Sequence, residues 1–335
     1  MKRIISLLLA LALTLSLAAC AAPAEKADGG KLRIVTTLFP YYDFARAIAQ
    51  DRADVTLLLS PGREAHSFEP TPLDAVTISE ADVFLYNGGE GEYWVESMLD
   101  AAGEHIAVAS RMMDYVDALN EEYVEGMQGA DGHDHDHEHG SHDDHDHDHE
   151  EDEHDSDEIE YDEHIWTSPK NAVVLCRAVC DAICRADAKN AAFYRANCEN
   201  YCAQLEDLDA RFAALCESAP RRLLIFADRF PMLYFCREYG LDYRAAFHGC
   251  SGDTEPSLAT IKFLIDKVED ENIPVVYTID FGTKKVAAVV SECTGAAIEM
   301  LYSMQTVSRA DFDAGETYLT LMERNFEALR KGLNA

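Results

Sequence analysis

Nine of the thirteen histidines in this 335-residue chain fall in one short stretch. They are His133, His135, His137, His139, His142, His145, His147, His149 and His154, interleaved with aspartate and glutamate and with no lysine or arginine. Imidazole and carboxylate are the side chains that hold divalent ions, so residues 131–157 read as an auxiliary metal-binding loop. Carboxylates alone would serve an inert, solvated segment, and the alternating imidazole is what favours metal. A repetitive loop makes a poor rigid cage, so it should offer several weak, fast-exchanging sites. Two isolated histidines are firmer candidates. His66 lies in Pro61-Gly62-Arg63-Glu64-Ala65-His66-Ser67-Phe68-Glu69-Pro70-Thr71-Pro72, directly after an expected strand and on a loop stiffened by three prolines. His164 lies in Asp162-Glu163-His164-Ile165-Trp166-Thr167-Ser168-Pro169, just before a long helical region. Ligation needs neutral imidazole, so binding should weaken as histidines protonate below about pH 6. Within the loop, neighbouring carboxylates should push that loss to higher pH.

The elements around these residues alternate. Leu32–Leu38, Val55–Leu59, Val83–Tyr86 and Ile106–Ala109 read as strands, with helices expected over Tyr41–Gln50, Pro72–Ala81 and Tyr93–Ala102. Such βα units imply a largely parallel sheet. From Ser168 to Ser218 the pattern is helical, and Ala188–Ala219 contains neither glycine nor proline. That length permits a stiff connector of about 45 Å. Alternation then resumes, with strands at Arg222–Phe226, Tyr243–Phe247, Val275–Ile279 and Ala297–Leu301 and a closing helix over Thr317–Leu333. The expected fold is α/β, with two lobes, each a mainly parallel sheet flanked by helices, joined by a long rigid linker helix. Residues 31–187 form the first lobe, 188–218 the linker and 219–335 the second lobe. Ligands in such sheets bind beyond the carboxyl ends of the strands, here in the cleft between lobes.

Composition bounds the partners. The formal net charge is −34, and residues 131–163 contribute 18 acidic and no basic side chains. Such a surface repels phosphate backbones, which argues against nucleic acid. Lys2 and Arg3 precede an apolar run from Ile4 to Leu17, followed by Ala18, Ala19 and Cys20. Residues 1–19 therefore read as a signal peptide. Leu17-Ala18-Ala19-Cys20 resembles a bacterial lipobox, which makes Cys20 the lipidated residue and 20–30 a tether to the extracytoplasmic face of the cell membrane. Of the nine later cysteines, Cys176, Cys180 and Cys184 share one helical face, as do Cys198 and Cys202. Neighbours at that spacing on one helix sit about 5–6 Å apart at Cβ, beyond disulfide reach. They read as small core residues, with a thiolate zinc cluster as the alternative, and no bridge is assigned.

The segments PGxExHxFEPTP (residues 61–72) and DEHIWTSPKNA (residues 162–172) resemble those of the metal-binding lipoproteins of bacterial ABC importers for zinc and manganese. The opening Val35-Thr36-Thr37-Leu38-Phe39-Pro40-Tyr41-Tyr42-Asp43 and Thr254-Glu255-Pro256-Ser257 are also similar to that family. The resemblance implies a monomeric, non-enzymatic binding protein that captures Zn²⁺ between its lobes and delivers it to a permease. Mn²⁺ is the alternative cargo, and a surface metal-buffering adhesin is the alternative role. It also implies that His66 and His164 are ligands from the first lobe. In the second lobe, Arg229 stands where the family commonly places a histidine or glutamate, and a guanidinium cannot ligate a cation. Asp228, next to it, is the substitute candidate. Asp280 lies close to the family's acidic fourth ligand, and His248, at another strand end, is held in reserve. A zinc hydrolase is disfavoured because the chain lacks HExxH.

Overall fold

The computed structural model describes residues 30–63, 68–102, 106–127, 160–251 and 255–334. The signal segment, Cys20, His66 and the histidine-rich run lie outside the described residues. The first lobe runs β1 (Leu32–Thr36), α1 (Phe39–Ala49), β2 (Ala53–Leu57), α2 (Pro72–Ser79), β3 (Val83–Tyr86), α3 (Trp94–Ala102) and β4 (Val108–Arg111). Two helices follow, α4 (Pro169–Ala186) and α5 (Ala191–Ser218). The second lobe comprises β5 (Leu223–Phe230), α6 (Leu233–Tyr239), β6 (Asp242–His248), α7 (Leu258–Asp270), β7 (Val275–Ile279), α8 (Lys285–Thr294), β8 (Ala297–Leu301), α9 (Arg309–Asp313) and α10 (Tyr318–Asn334).

Both sheets are four-stranded and parallel, with orders β2-β1-β3-β4 and β6-β5-β7-β8. The strand order therefore reverses between β1 and β3, and again between β5 and β7. In open parallel sheets the crevice beyond such a reversal is where ligands bind. Side-chain alternation covers both faces of the second sheet. Leu224, Phe226, Val275 and Tyr277 point into the main core, whereas Ile225, Ala227 and Val276 point into a smaller core with Leu264 and Val290.

Several boundaries differ from the sequence expectation for identifiable reasons. Helix α1 begins at Phe39 rather than Tyr41, since Pro40 fits the first helical turn. The fourth strand is displaced toward its carboxyl end, to Val108–Arg111. Strand β5 continues to Phe230 because its register against β6 shifts between Phe226 and Arg229. That bulge accommodates extra backbone and re-aims Asp228 and Arg229. The long helix begins at Ala191, after a 3₁₀ turn over Ala188–Asn190, and its 28 residues span about 42 Å. The turn is held by Asp187, which accepts hydrogen bonds from Asn190 Nδ2 at 2.6 Å and Tyr194 OH at 2.7 Å.

One apolar core passes from the first sheet through α4, α5 and α10 to the inner face of the second sheet. Buried Asp43 on α1 accepts from Tyr201 OH on α5 at 2.6 Å and from the Tyr318 backbone of α10 at 3.0 Å. Trp166 donates Nε1 to the Ser303 carbonyl at 2.7 Å, and Tyr318 OH donates to the Trp166 carbonyl at 2.7 Å. Wide separation of the lobes would break these bonds and wet a shared core. The architecture suits small adjustments about the cleft better than hinge opening.

Candidate metal centre

His164 sits at the junction of the two lobes. Ser168 caps α4 by accepting from Asn171 N at 3.3 Å, with Pro169 in the first turn, and the chain before it winds into a 3₁₀ turn over Ile165–Thr167. This fixes His164 just outside the helix, where it is only 1% exposed. Its Nδ1 lies 3.2 Å from Asp162 Oδ1, and the same oxygen accepts the His164 backbone N–H at 2.7 Å. A carboxylate on one ring nitrogen sets the imidazole's orientation and presents the opposite nitrogen as the donor to a cation. Burial works against the charged ring, but Asp162, together with Glu121 and Glu163, outweighs it and holds the His164 pKa above the ordinary histidine value. Gly249 lies against the ring, and a Cβ there would come within 3.1 Å of Nδ1 and Cε1. The backbone can approach this closely because the residue is glycine.

A pocket joins His164 to the second sheet, lined by Arg229, Asp280, Phe281, Ser303, Gln305 and Thr306 among others. Asp280 directly follows β7, at the point where the strand order reverses. It is 7% exposed, and its Oδ1 accepts the Ser303 backbone N–H at 2.7 Å. It does not cap a helix, since Lys284 occupies that position for α8. A second pocket lies beyond the first sheet and includes Thr37, Phe68, Asn87, Glu92, Glu163 and Gln305. Gln305 borders both, so the cleft extends across the carboxyl ends of both sheets. His164 and Asp280 are thus brought to one pocket.

The other candidates are placed differently. Asp228 accepts from the Arg229 backbone at 2.9 Å and from Ile279 N at 3.4 Å, and it lines a separate pocket with Phe281 and Gly282. Its carboxylate lies directly against Gly282, where a Cβ would collide with it. It braces the turn that carries Asp280. Arg229 borders both pockets. His248 is paired through Nδ1 with Glu121 Oε1 at 3.4 Å, beside Tyr123, and this carboxylate holds it above the ordinary range although burial opposes the charge. The flanks of His66 are anchored at the cleft. Gly62 N donates to the Val307 carbonyl at 2.8 Å, and Phe68 packs on Trp94 with ring centroids 5.4 Å apart.

Four contributors escape sequence reading. Asp162 orients His164, Glu163 docks on the backbone of Gly91 at 2.8 Å, and Trp166 ties the lobes together. An acid two residues before a candidate histidine could have signalled the first, whereas the others depend on tertiary contacts. Glu92 is the fourth. Buried, and with the Glu163 carboxylate near it, its pKa is pushed up from 4.5 to about 7, although its Oε2 accepts the Gly88 N–H at 2.8 Å. The folded state therefore retains a proton that the unfolded chain releases between pH 4.5 and about 7. Stability from this group rises as pH falls through 7 and declines as pH rises. We expect Glu92→Gln to raise stability at pH 8 by about 3 kcal/mol. It should also flatten the pH dependence between 5 and 8 relative to the native chain. Urea unfolding at both pH values reads this, and equal slopes for the two proteins would refute it.

Comparison with known proteins bears on this cleft. Residues 34–332 match the family model for the zinc-uptake complex component A, periplasmic, ZnuA. The chain belongs to this ZnuA family. It is 31% identical over 326 residues to the high-affinity zinc uptake system protein ZnuA of Bacillus subtilis, covering 95% of this chain and 94% of that protein. It is 30% identical over 334 residues to the zinc-binding lipoprotein AdcA of Streptococcus pneumoniae R6, covering 99% of this chain but 61% of AdcA. Among solved structures, the Zn(II)-bound ZnuA-like domain of S. pneumoniae AdcA superposes with a TM-score of 0.71 at 26% identity. That match covers 91% of this chain and all of the domain. The ZnuA-type architecture of two parallel-sheet lobes and a long connecting helix accords with the expectation from sequence.

Proposed function

We propose that the chain is the extracytoplasmic zinc-capturing component of an ABC importer, holding Zn²⁺ in the interlobe cleft and delivering it to a permease. The observation that carries the reading is His164, buried at the cleft with Asp162 on one ring nitrogen and Asp280 lining the same pocket. His66, on a segment whose flanks meet the cleft, supplies a second imidazole. His66, His164 and Asp280 are the proposed ligands, with Asp228 bracing Asp280 from behind. Two imidazoles with carboxylate suit Zn²⁺, and Mn²⁺ would gain from a larger share of oxygen donors. Cys20 is the proposed lipid anchor, and the chain works as a monomer beside the membrane. The proposed action is binding and release, without catalysis.

The histidine-rich loop acts as a gathering device. Its stem reaches the cleft: Asn120 bridges Tyr161, Glu121 N donates to the Glu160 carbonyl at 2.9 Å, and Asp162 N donates to the Leu119 carbonyl at 2.9 Å. Ions held loosely by the loop would thus be gathered on the segment that leads through Asp162 into His164. Calorimetry on metal-free protein tests the division of labour. Removing residues 131–157 should abolish several weak zinc sites and leave one tight site with its affinity unchanged within a few-fold. Loss of the tight site would transfer the ligands to the loop. Competition between Zn²⁺ and Mn²⁺ on the shortened chain should then favour zinc.

A further inference from the structure

Five cysteines line the interface between α4 and α5, far more sulfur than packing requires. Cys176, Cys180 and Cys184 recur every fourth residue on α4, and Cys198 and Cys202 do so on α5, which returns alongside it. All five are buried free thiols. Small apolar side chains would fill a helix–helix seam equally well, and Ala172, Ala178 and Ala182 are buried elsewhere on α4. Here the sulfurs converge on one another. The Sγ atoms of Cys176, Cys198 and Cys202 all lie within 4.8 Å of one another. Cys198 and Cys202 are 3.8 Å apart at Sγ, and Cys180 and Cys184 are 4.0 Å apart.

We propose that Cys176, Cys198 and Cys202 form a second metal site, separate from the zinc cleft, that takes a soft monovalent cation of the Cu⁺ type. Three convergent sulfurs match the trigonal coordination open to Cu⁺, and soft thiolates select such ions over the hard cations that carboxylates prefer. Zn²⁺ in a closed site wants four donors, and this dry seam offers three in mutual reach. On loading, three S–H bonds break, three S–Cu bonds form and three protons leave to solvent, with no change in oxidation state. Besides their contact with each other, the Cys198 and Cys202 thiols make long contacts, 3.8 Å to the Cys176 carbonyl and 3.9 Å to the Val173 carbonyl, which a metal bond would replace at little cost.

The test uses the full chain, reduced and free of oxygen, with Cu⁺ supplied through a chromophoric chelator. One ion per chain should be retained against the chelator with ultraviolet sulfur-to-copper charge transfer, and X-ray absorption should report sulfur neighbours. The histidine-rich loop would show nitrogen and oxygen neighbours instead, which separates the two sites. Cys198→Ser and the triple Cys176→Ala/Cys198→Ala/Cys202→Ala variant should lose the sulfur-bound ion, whereas Cys293→Ala, at an exposed position, should keep it. Binding should also raise Tm in the native chain and not in the triple variant. Zinc calorimetry on the same variants checks folding, since cleft binding should stay within a few-fold of native. The proposal is overturned if the native chain holds copper through nitrogen and oxygen alone, or if its thiols are found paired as disulfides. Tetrahedral spectra on Co²⁺ substitution, with Cys180 recruited, would overturn the three-sulfur assignment.

Discussion

His164→Ala is expected to weaken tight zinc binding by more than about 100-fold, a loss of at least ~2.7 kcal/mol. The estimate follows from comparing the ligand with its support. Removing an outer partner of a ligating histidine typically costs about 10–100-fold, so removing the imidazole itself should cost more. Asp162→Asn supplies the internal comparison. It keeps the shape and loses the carboxylate on Nδ1, and should fall in the 10–100-fold range. Both are best measured on the chain lacking residues 131–157, with a chromophoric zinc chelator as competitor, so that loop sites do not mask the change. Because His164 is buried, thermal unfolding of the metal-free variants must accompany the titrations. If His66→Ala with His164→Ala leaves a tight site in the shortened, folded protein, the ligand assignment is wrong.

How much of this was readable in advance depends on the range of the interaction. The alternation of short apolar runs with amphipathic ones predicted both parallel sheets, because period-2 and period-3.6 patterning is local. Val275–Ile279 and Ala297–Leu301 fall where the sequence places them. Strand β5 runs past its expected end because a register shift against β6 is a property of the pair of strands, invisible in either alone. The same bulge separates the fates of two adjacent residues. Asp228 turns to the backbone of β7, while Arg229 borders the pocket of His164 and Asp280. The sequence left Asp228 open between a ligand and a strand-end carboxylate, and only its packing against Gly282 shows what it holds in place. His164 stands out in the sequence by its place just before the long helical region and by the segment DEHIWTSPKNA around it, whereas the role of Asp162 in orienting the ring shows only in the fold. The cysteines show the limit most clearly. Spacing along one helix argues against bridges within it, yet the convergence of Cys176 with Cys198 and Cys202 depends on how α4 and α5 pair.

Arg229→His is expected to tighten zinc binding by about 10–100-fold, or ~1.4–2.8 kcal/mol. Arg229 lines the same pocket as His164 and Asp280, and its guanidinium brings N–H donors and a positive charge to a site that must accept a dication. An imidazole there removes the repulsion and adds a neutral donor, completing two histidines and a carboxylate toward the four ligands of a closed zinc site. Arg229→Met separates these contributions, because it deletes the charge without offering nitrogen. The expected order of affinity is histidine above methionine above native, with the first step reporting ligation and the second electrostatics. A tighter site should also release its ion more slowly, so transfer to a chelator would slow in the histidine variant. That links the native residue to function: an importer's binding protein must surrender its cargo, and a cationic neighbour in the cleft lowers the cost of release. Native affinity equal to that of both variants would mean that the guanidinium stands outside the ion's field, and this account of release would fail with it.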